Sequence, residues 1–293
     1  MSFATGKRIL ITGANSGIGF ETAKQLAAYG AEVIMLCRNK ERGEAARARI
    51  LKQDPDADLT LLLADLSSGN SIQSVVKEIR RRYSSLHVLI NNAGGFFTRP
   101  HLNDENIEYT FALNHLGPFR LTNALIDLLQ AGAREISEPS RVITVSSGAH
   151  MVISKASPES IAAYSAPGNY KGFRAYAWSK LANILFTREL HKRYGDKGIT
   201  AVSLHPGFVR TNFTKLDSKS LTALFFDFGA KIAAIPASKG AETPVFLADA
   251  ESITAGMYYA KKKITRPAAC GRSDSLSQAL WDYSTRFLPG QQR

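Results

Sequence analysis

From its first residues the chain alternates short apolar, β-branched runs with longer stretches whose apolar positions recur every three or four residues. Residues 8–12 (Arg-Ile-Leu-Ile-Thr) read as a strand covered on both faces, because the interior positions are all apolar. Residues 17–29 carry Ile18, Thr22, Leu26 and Tyr29 at helical spacing, with Gly30 beyond the end. The alternation continues with a strand at 32–37, a charged helix at 40–52, a strand at 59–64 and a helix at 71–83. A strand at 88–91 follows, then a long helical stretch to about residue 130, and strands at 141–146 and 200–205 that flank a further helix. Residues 257–260 read as a seventh strand. Helices placed between successive strands force parallel pairing, since a tight hairpin can join only antiparallel neighbours. The pattern therefore predicts the α/β class: one doubly wound domain over residues 1–293 with a mostly parallel sheet of about seven strands. No internal repeat, low-complexity tract or linker divides it.

Composition narrows the setting. With 44% hydrophobic and 21% charged residues in 293, the chain has the balance of a soluble globular protein. No apolar run approaches the roughly 20 residues that cross a bilayer, and residues 1–8 lack the apolar core of a signal peptide. Cys37 and Cys270 have no metal-ligand spacing, so free thiols in a reducing compartment, the cytoplasm by default, are expected. The six histidines form no metal motif, and no metal is expected. The net charge of +12 is spread along the chain, with short clusters only at residues 80–82 and 261–263 and no interleaved aromatics. That distribution argues against a nucleic-acid partner and reads first as a solvated face, the alternative being a field that favours a polyanionic small molecule.

Three stretches carry candidate chemistry. Between the first strand and first helix stand Gly13, Ala14, Asn15, Ser16, Gly17, Ile18 and Gly19. Glycines there let the backbone turn sharply and approach a pyrophosphate, whose charge the helix N-terminus favours. The second strand ends in Arg38 and Asn39, where an NAD site usually places an acid for the ribose hydroxyls. An arginine fork at that point pairs with a 2′-phosphate and favours NADP(H) over NAD(H), the plainer reading being a strand-end Arg in water. Tyr176 and Lys180 stand four apart in a helix-forming stretch and so share a face. A lysine beside a phenol draws it down from about 10 toward working pH, although the spacing alone also suits a solvated helix face.

Together these residues resemble the short-chain dehydrogenase/reductase family, with its Rossmann-type fold, over nearly the whole chain. The resemblance rests on the turn from Thr12 to Gly19, Asp65-Leu66 after the third strand and Asn91-Asn92-Ala93-Gly94 after the fourth. Asn114, Ser146-Ser147, Tyr176 with Lys180, and Pro206-Gly207 complete it. Residues 114–122, 179–190 and 205–211 are similar to the branch containing retinol dehydrogenases and related lipophilic carbonyl reductases. Membrane-bound members of that branch carry an apolar N-terminal anchor, which the short lead before the first strand is not expected to supply.

The resemblance implies hydride transfer between nicotinamide and a lipophilic aldehyde or ketone, or the corresponding alcohol. Tyr176 would be the proton donor and acceptor, Lys180 would tune it and hold the nicotinamide ribose, and Ser147 would bind the substrate oxygen. Asn114 would hold a water linking Lys180 to solvent. Ser147 is preferred to Ser146, which alternation turns to the other side of the strand. Cofactor contacts are implied at residues 13, 15–19, 38–39, 65–66 and 91–94, at Tyr176 and Lys180, and at Pro206, Gly207, Val209 and Thr211. Substrate-side insertions are expected at about 148–175 and 212–240. The first reads as a surface excursion beside the substrate mouth, either offering His150, Met151, Tyr164 or Tyr170 to it or serving as a loop insertion without function. Within the second, residues 221–235 form an apolar helical face read as a lid before a core helix or a peripheral membrane contact. A homodimer through the helices bearing Asn114 and Tyr176 stays open. The competing reading is a non-catalytic NADP(H) sensor or scaffold on the same fold.

Overall fold

A computed structural model describes residues 2–168, 170–209 and 235–290. Seven strands run parallel: β1 (Arg8–Thr12), β2 (Glu32–Cys37), β3 (Leu59–Leu63), β4 (Val88–Asn91), β5 (Ser140–Val145), β6 (Ile199–His205) and β7 (Tyr258–Ala260). An eighth, β8 (Lys263–Thr265), closes the edge antiparallel to β7, giving the order β3-β2-β1-β4-β5-β6-β7-β8. Sequence pattern misses β8 because its three residues are all exposed and carry no apolar alternation. Its hairpin turns on Lys261 and Lys262, both at positive φ, where glycine or asparagine would have signalled the turn.

Strand alternation sorts the core into two layers. Ile9 and Ile11 of β1 face one side with α1 (Gly17–Ala28), α2 (Lys40–Leu51) and α9 (Ala237–Asp249), where Phe20, Leu26, Ile50 and Leu247 are buried. Leu10 faces the other side with α3 (Gly69–Arg82), α5 (Gly117–Ala124), α6 (Ile126–Ile136) and α8 (Gly172–Tyr194), where Val75, Phe119, Leu129 and Phe186 are buried. Both-face burial is why these strands read as continuous apolar runs. The strand order reverses between β1 and β4, which opens a crevice at their carboxyl ends.

The helix expected after β4 is interrupted. A loop comes first, then α4 (Tyr109–Phe111), a π turn (Ala112–Leu116), α5, and a break at Leu125 before α6. The widened turn carries Asn114, whose amide bridges to the backbone of Gly95. Such π turns inside helices occur frequently at functional sites.

The segment 148–175 lies largely at the surface and is anchored at a few buried points. It forms two 3₁₀ turns (Gly148–Val152 and Pro158–Ser160), α7 (Ile161–Ser165) and the first residues of α8. His150, Ile153, Ile161 and Ser165 are buried, and Ser165 accepts a hydrogen bond from the Trp178 indole at 3.2 Å. The C-terminal helix α10 (Asp274–Thr285) lies against α8. Leu276 and Leu280 join Trp178, Leu181 and Leu185, while Trp281 packs on Phe119 and Phe186. The chain's α10 thus packs along α8 and reaches α5 through Trp281.

Candidate active site

The site lies along the carboxyl edge of the sheet, where the loops after β1 to β6 converge. After β1, Gly13 and Gly17 take φ of +67° and +57°, the left-handed region that favours glycine. A Cβ on Gly13 would sit 3.1 Å from Ala93 Cα and 3.2 Å from Asn92 Nδ2, and one on Gly19 would collide with Gly13 O. Thr12 fixes the facing loop, its hydroxyl accepting from the N–H groups of Asn92 and Ala93, both at 2.9 Å. Ser16 gives α1 no side-chain cap, whereas Asn39 caps α2 and Ser68 caps α3. Asn15, Ser16, Gly17 and Ile18 therefore present a glycine-lined turn and uncapped helical N–H groups, a cradle that fits a dinucleotide pyrophosphate.

The adenosine end is marked by Arg38, which is 63% exposed in its side chain and 3.9 Å from Asp65 Oδ2. Asp65 Oδ1 accepts from Ser67 N and Oγ, and Leu66 is buried. Asn39 is occupied as the helix cap, accepting from Arg42 N at 2.8 Å. Asn91 ends β4 as expected, with its side chain buried and donating to Thr122 Oγ1 on the core side. Its neighbour Asn92 takes the position beside the glycine turn, donating to Thr12 O at 2.8 Å. Pro206 and Gly207 follow β6, Gly207 at φ +94°, and Val209 pairs with Ile235. Thr211 and nearly all of the stretch 221–235 lie outside the described residues.

The chemical centre joins three elements. The Tyr176 phenol on α8 is hydrogen-bonded to the Ser147 side chain at the end of β5. One turn along α8, Lys180 is buried, with Nζ donating to Val145 O at 3.1 Å. Ser146 faces away and donates to Lys180 O at 2.7 Å, bracing the helix from the strand. Asn114 is fully buried, its Oδ1 accepting from Gly95 N at 2.7 Å and its Nδ2 donating to Gly95 O and to Ser179 Oγ. A Cβ placed on Gly94 would lie 3.0 Å from Asn114 Oδ1 and 3.4 Å from Lys180 Nζ, so the three meet at one spot.

Burial governs the ionisation of this pair. It pushes the Tyr176 phenol up to about 12, opposed by the Ser147 hydrogen bond. It pulls the Lys180 amine down to about 8. The sequence expectation that the lysine draws the phenol toward working pH is thus outweighed: Nζ stands 5.6 Å from the ring centroid, and desolvation favours both neutral forms. The phenol is accordingly protonated at neutral pH and poised to donate.

Of the four side chains expected at the mouth, Met151 is the exposed one, at 57%. His150 is buried, donating from Nδ1 to Ser147 O at 2.6 Å and accepting at Nε2 from Ala268 N. Tyr164 stacks on Trp178, and the Tyr170 hydroxyl donates to Phe97 O. Phe96 packs edge-on against Tyr176 with centroids 5.7 Å apart. His150, Ser179 and the Val145 carbonyl also support the centre, through Ala268 N, Asn114 Nδ2 and Lys180 Nζ, each distant in sequence.

A family model described as short chain dehydrogenase matches residues 7–221. The WW domain-containing oxidoreductase of Gallus gallus is 37% identical over 98% of this chain and 69% of its own length. Human retinol dehydrogenase 12 is 36% identical over 97% of this chain and 86% of its own. An uncharacterised protein from Mycobacterium paratuberculosis superposes with a TM-score of 0.74 at 30% identity, covering 96% of this chain and 93% of its own. Among the described residues, no helix is long and apolar enough to cross a membrane. The chain belongs to the short chain dehydrogenase family, in its retinol-dehydrogenase-like branch, whose oxidoreductase fold binds a nicotinamide cofactor.

Proposed function

We propose that this protein is an NADP(H)-dependent oxidoreductase of lipophilic aldehydes and ketones, working in reverse on the corresponding alcohols. The observation that carries the reading is the hydrogen bond between Ser147 and the buried Tyr176 phenol, with the Lys180 amine one turn away. The glycine turn and the loops after β4 and β6 would hold a nicotinamide dinucleotide, which when bound would supply or accept the hydride. Ser147 and Tyr176 direct hydroxyls to one point, where they hold a substrate carbonyl oxygen. Tyr176 gives its proton to that oxygen in reduction and takes it back in oxidation. Protonated Lys180 stabilises the phenolate left behind, and Asn114 holds the loop at Gly95 and a water through which the amine exchanges protons.

A lipophilic substrate is supported by what rims the site. Met151, Val152 and Phe208 are 57%, 55% and 45% exposed and follow the ends of β5 and β6 in the chain, while Phe96 packs on Tyr176. Exposed apolar side chains gathered at a site mark a contact for apolar ligand surface. The free thiols of Cys37 and Cys270 suit a reducing compartment.

Preference for NADP(H) rests on the exposed Arg38 fork at the end of β2. Arg38→Ala is expected to weaken NADPH binding about tenfold or more, the worth of a charge-assisted hydrogen bond, while NADH affinity changes little. Isothermal titration with both nucleotides checks this, and equal losses for the two would remove the 2′-phosphate role.

A further inference from the structure

Arg38 is not alone at the end of the second strand. Its Nη1 donates to the Tyr109 hydroxyl at 2.9 Å, across 71 residues of sequence. Tyr109 opens α4, at the far side of the loop that also carries Phe96 and Phe97. Its ring is held on two sides: edge-on by Phe97 at 5.0 Å, and by His101 at 4.2 Å with a 30° tilt. Its backbone N–H donates to His101 O at 3.0 Å, which closes the loop beneath it.

The hydrogen-bond direction matters. A guanidinium has only donors, so the phenol oxygen is the acceptor and its own O–H remains to be given away. Apart from Asp65, at 3.9 Å, the guanidinium has no other partner among the described residues. Asp65 Oδ1 is taken by Ser67 N and Oγ, which offsets part of its charge. Arg38 and Tyr109 therefore form a donor pair: a charged fork plus a neutral hydroxyl set on an immobilised ring. A phosphate monoester, with three acceptor oxygens and close to two negative charges, matches such a pair. The adenosine ribose hydroxyl that replaces it in NAD(H) does not need two donors.

We propose that Tyr109 is a specificity-determining residue for the 2′-phosphate of NADP(H), donating its hydroxyl proton to the group whose charge Arg38 neutralises. This deepens the NADP(H) reading above and rests on it. It assigns the opening of α4 to the cofactor's adenosine end.

Equilibrium binding without turnover tests it, with 2′,5′-ADP and 5′-AMP as probes for wild type, Tyr109→Phe and Arg38→Ala. Phenylalanine keeps the ring and its contacts, so 5′-AMP affinity serves as the control for an intact pocket. Tyr109→Phe is expected to weaken 2′,5′-ADP about tenfold and to leave 5′-AMP unchanged, as loss of one hydrogen bond to a charged group dictates. An unchanged or tighter 2′,5′-ADP affinity, or an equal loss for both probes, overturns the role of Tyr109. Should Arg38→Ala alone lose 2′,5′-ADP selectively, the NADP(H) reading stands and this inference falls. Should Arg38→Ala weaken both probes equally, the NADP(H) reading falls with it.

Discussion

Tyr176→Phe is expected to lower turnover about 100- to 10,000-fold, the usual contribution of a positioned general acid, while NADPH binds nearly as before. The ring stays, so its contact with Phe96 and its place on α8 persist; only the hydroxyl shared with Ser147 goes. Steady-state rates with a reducible aldehyde, set beside nucleotide titration of the same variant, measure both quantities. Full activity would place the proton donor elsewhere. The pH dependence of the wild type carries the same logic. Lys180, drawn down to about 8 by burial, is charged below that pH and neutral above it. Reductive kcat/KM is therefore expected to be level below about pH 8 and to fall above it, as the cation that stabilises the phenolate disappears. The phenol itself, near 12, remains protonated across that range.

Trp281→Ala is expected to destabilise the fold by about 3–5 kcal/mol, the range for emptying a large aromatic site in a core. Trp281 is 5% exposed, stacks on Phe186 at 6.0 Å, and meets Phe119 edge-on at 5.0 Å. The Arg193 guanidinium lies 4.8 Å from its ring centroid. The indole thus joins α10 to the helices that carry the chemistry. A urea titration should show a lower midpoint with an unchanged slope, because the variant loses stability without changing the surface exposed on unfolding. A loss below 1 kcal/mol would mean that α10 is a loose appendage rather than a brace for α8.

The sheet was legible because its strands are buried on both faces: Ile9 to Ile11 and Val33 to Leu36 leave no room for polar residues. β8 was not, since an exposed edge strand of Lys, Ile and Thr carries no such signature. The break between α4 and α6 also escaped, because Asn114 turns toward Gly95, a contact that helical periodicity cannot express. Within the site, the glycine turn, Arg38, Ser147, Tyr176 and Lys180 could be singled out from spacing and resemblance, and the fold brings them to one edge of the sheet. Sequence missed how deeply Tyr176 and Lys180 are buried, and so overrated the lysine's pull on the phenol. It also could not choose among His150, Met151, Tyr164 and Tyr170 at the mouth, where His150 spends both ring nitrogens on Ser147 O and Ala268 N. The hold of Thr122 on the Asn91 amide behind the strand was likewise invisible to local pattern. Each of these depends on a partner distant in sequence, and desolvation follows from packing that local pattern does not encode.

The most direct measurement is NADPH oxidation by the purified protein against a panel of retinal, medium-chain aldehydes, aromatic ketones, steroids and quinones, with NADH in parallel. The account predicts carbonyl-dependent oxidation of NADPH with at least one apolar member, at several-fold higher kcat/KM than with NADH. Tight NADPH binding with no oxidation by any carbonyl would contradict it and favour a nucleotide-sensing protein that keeps the fold without the reaction.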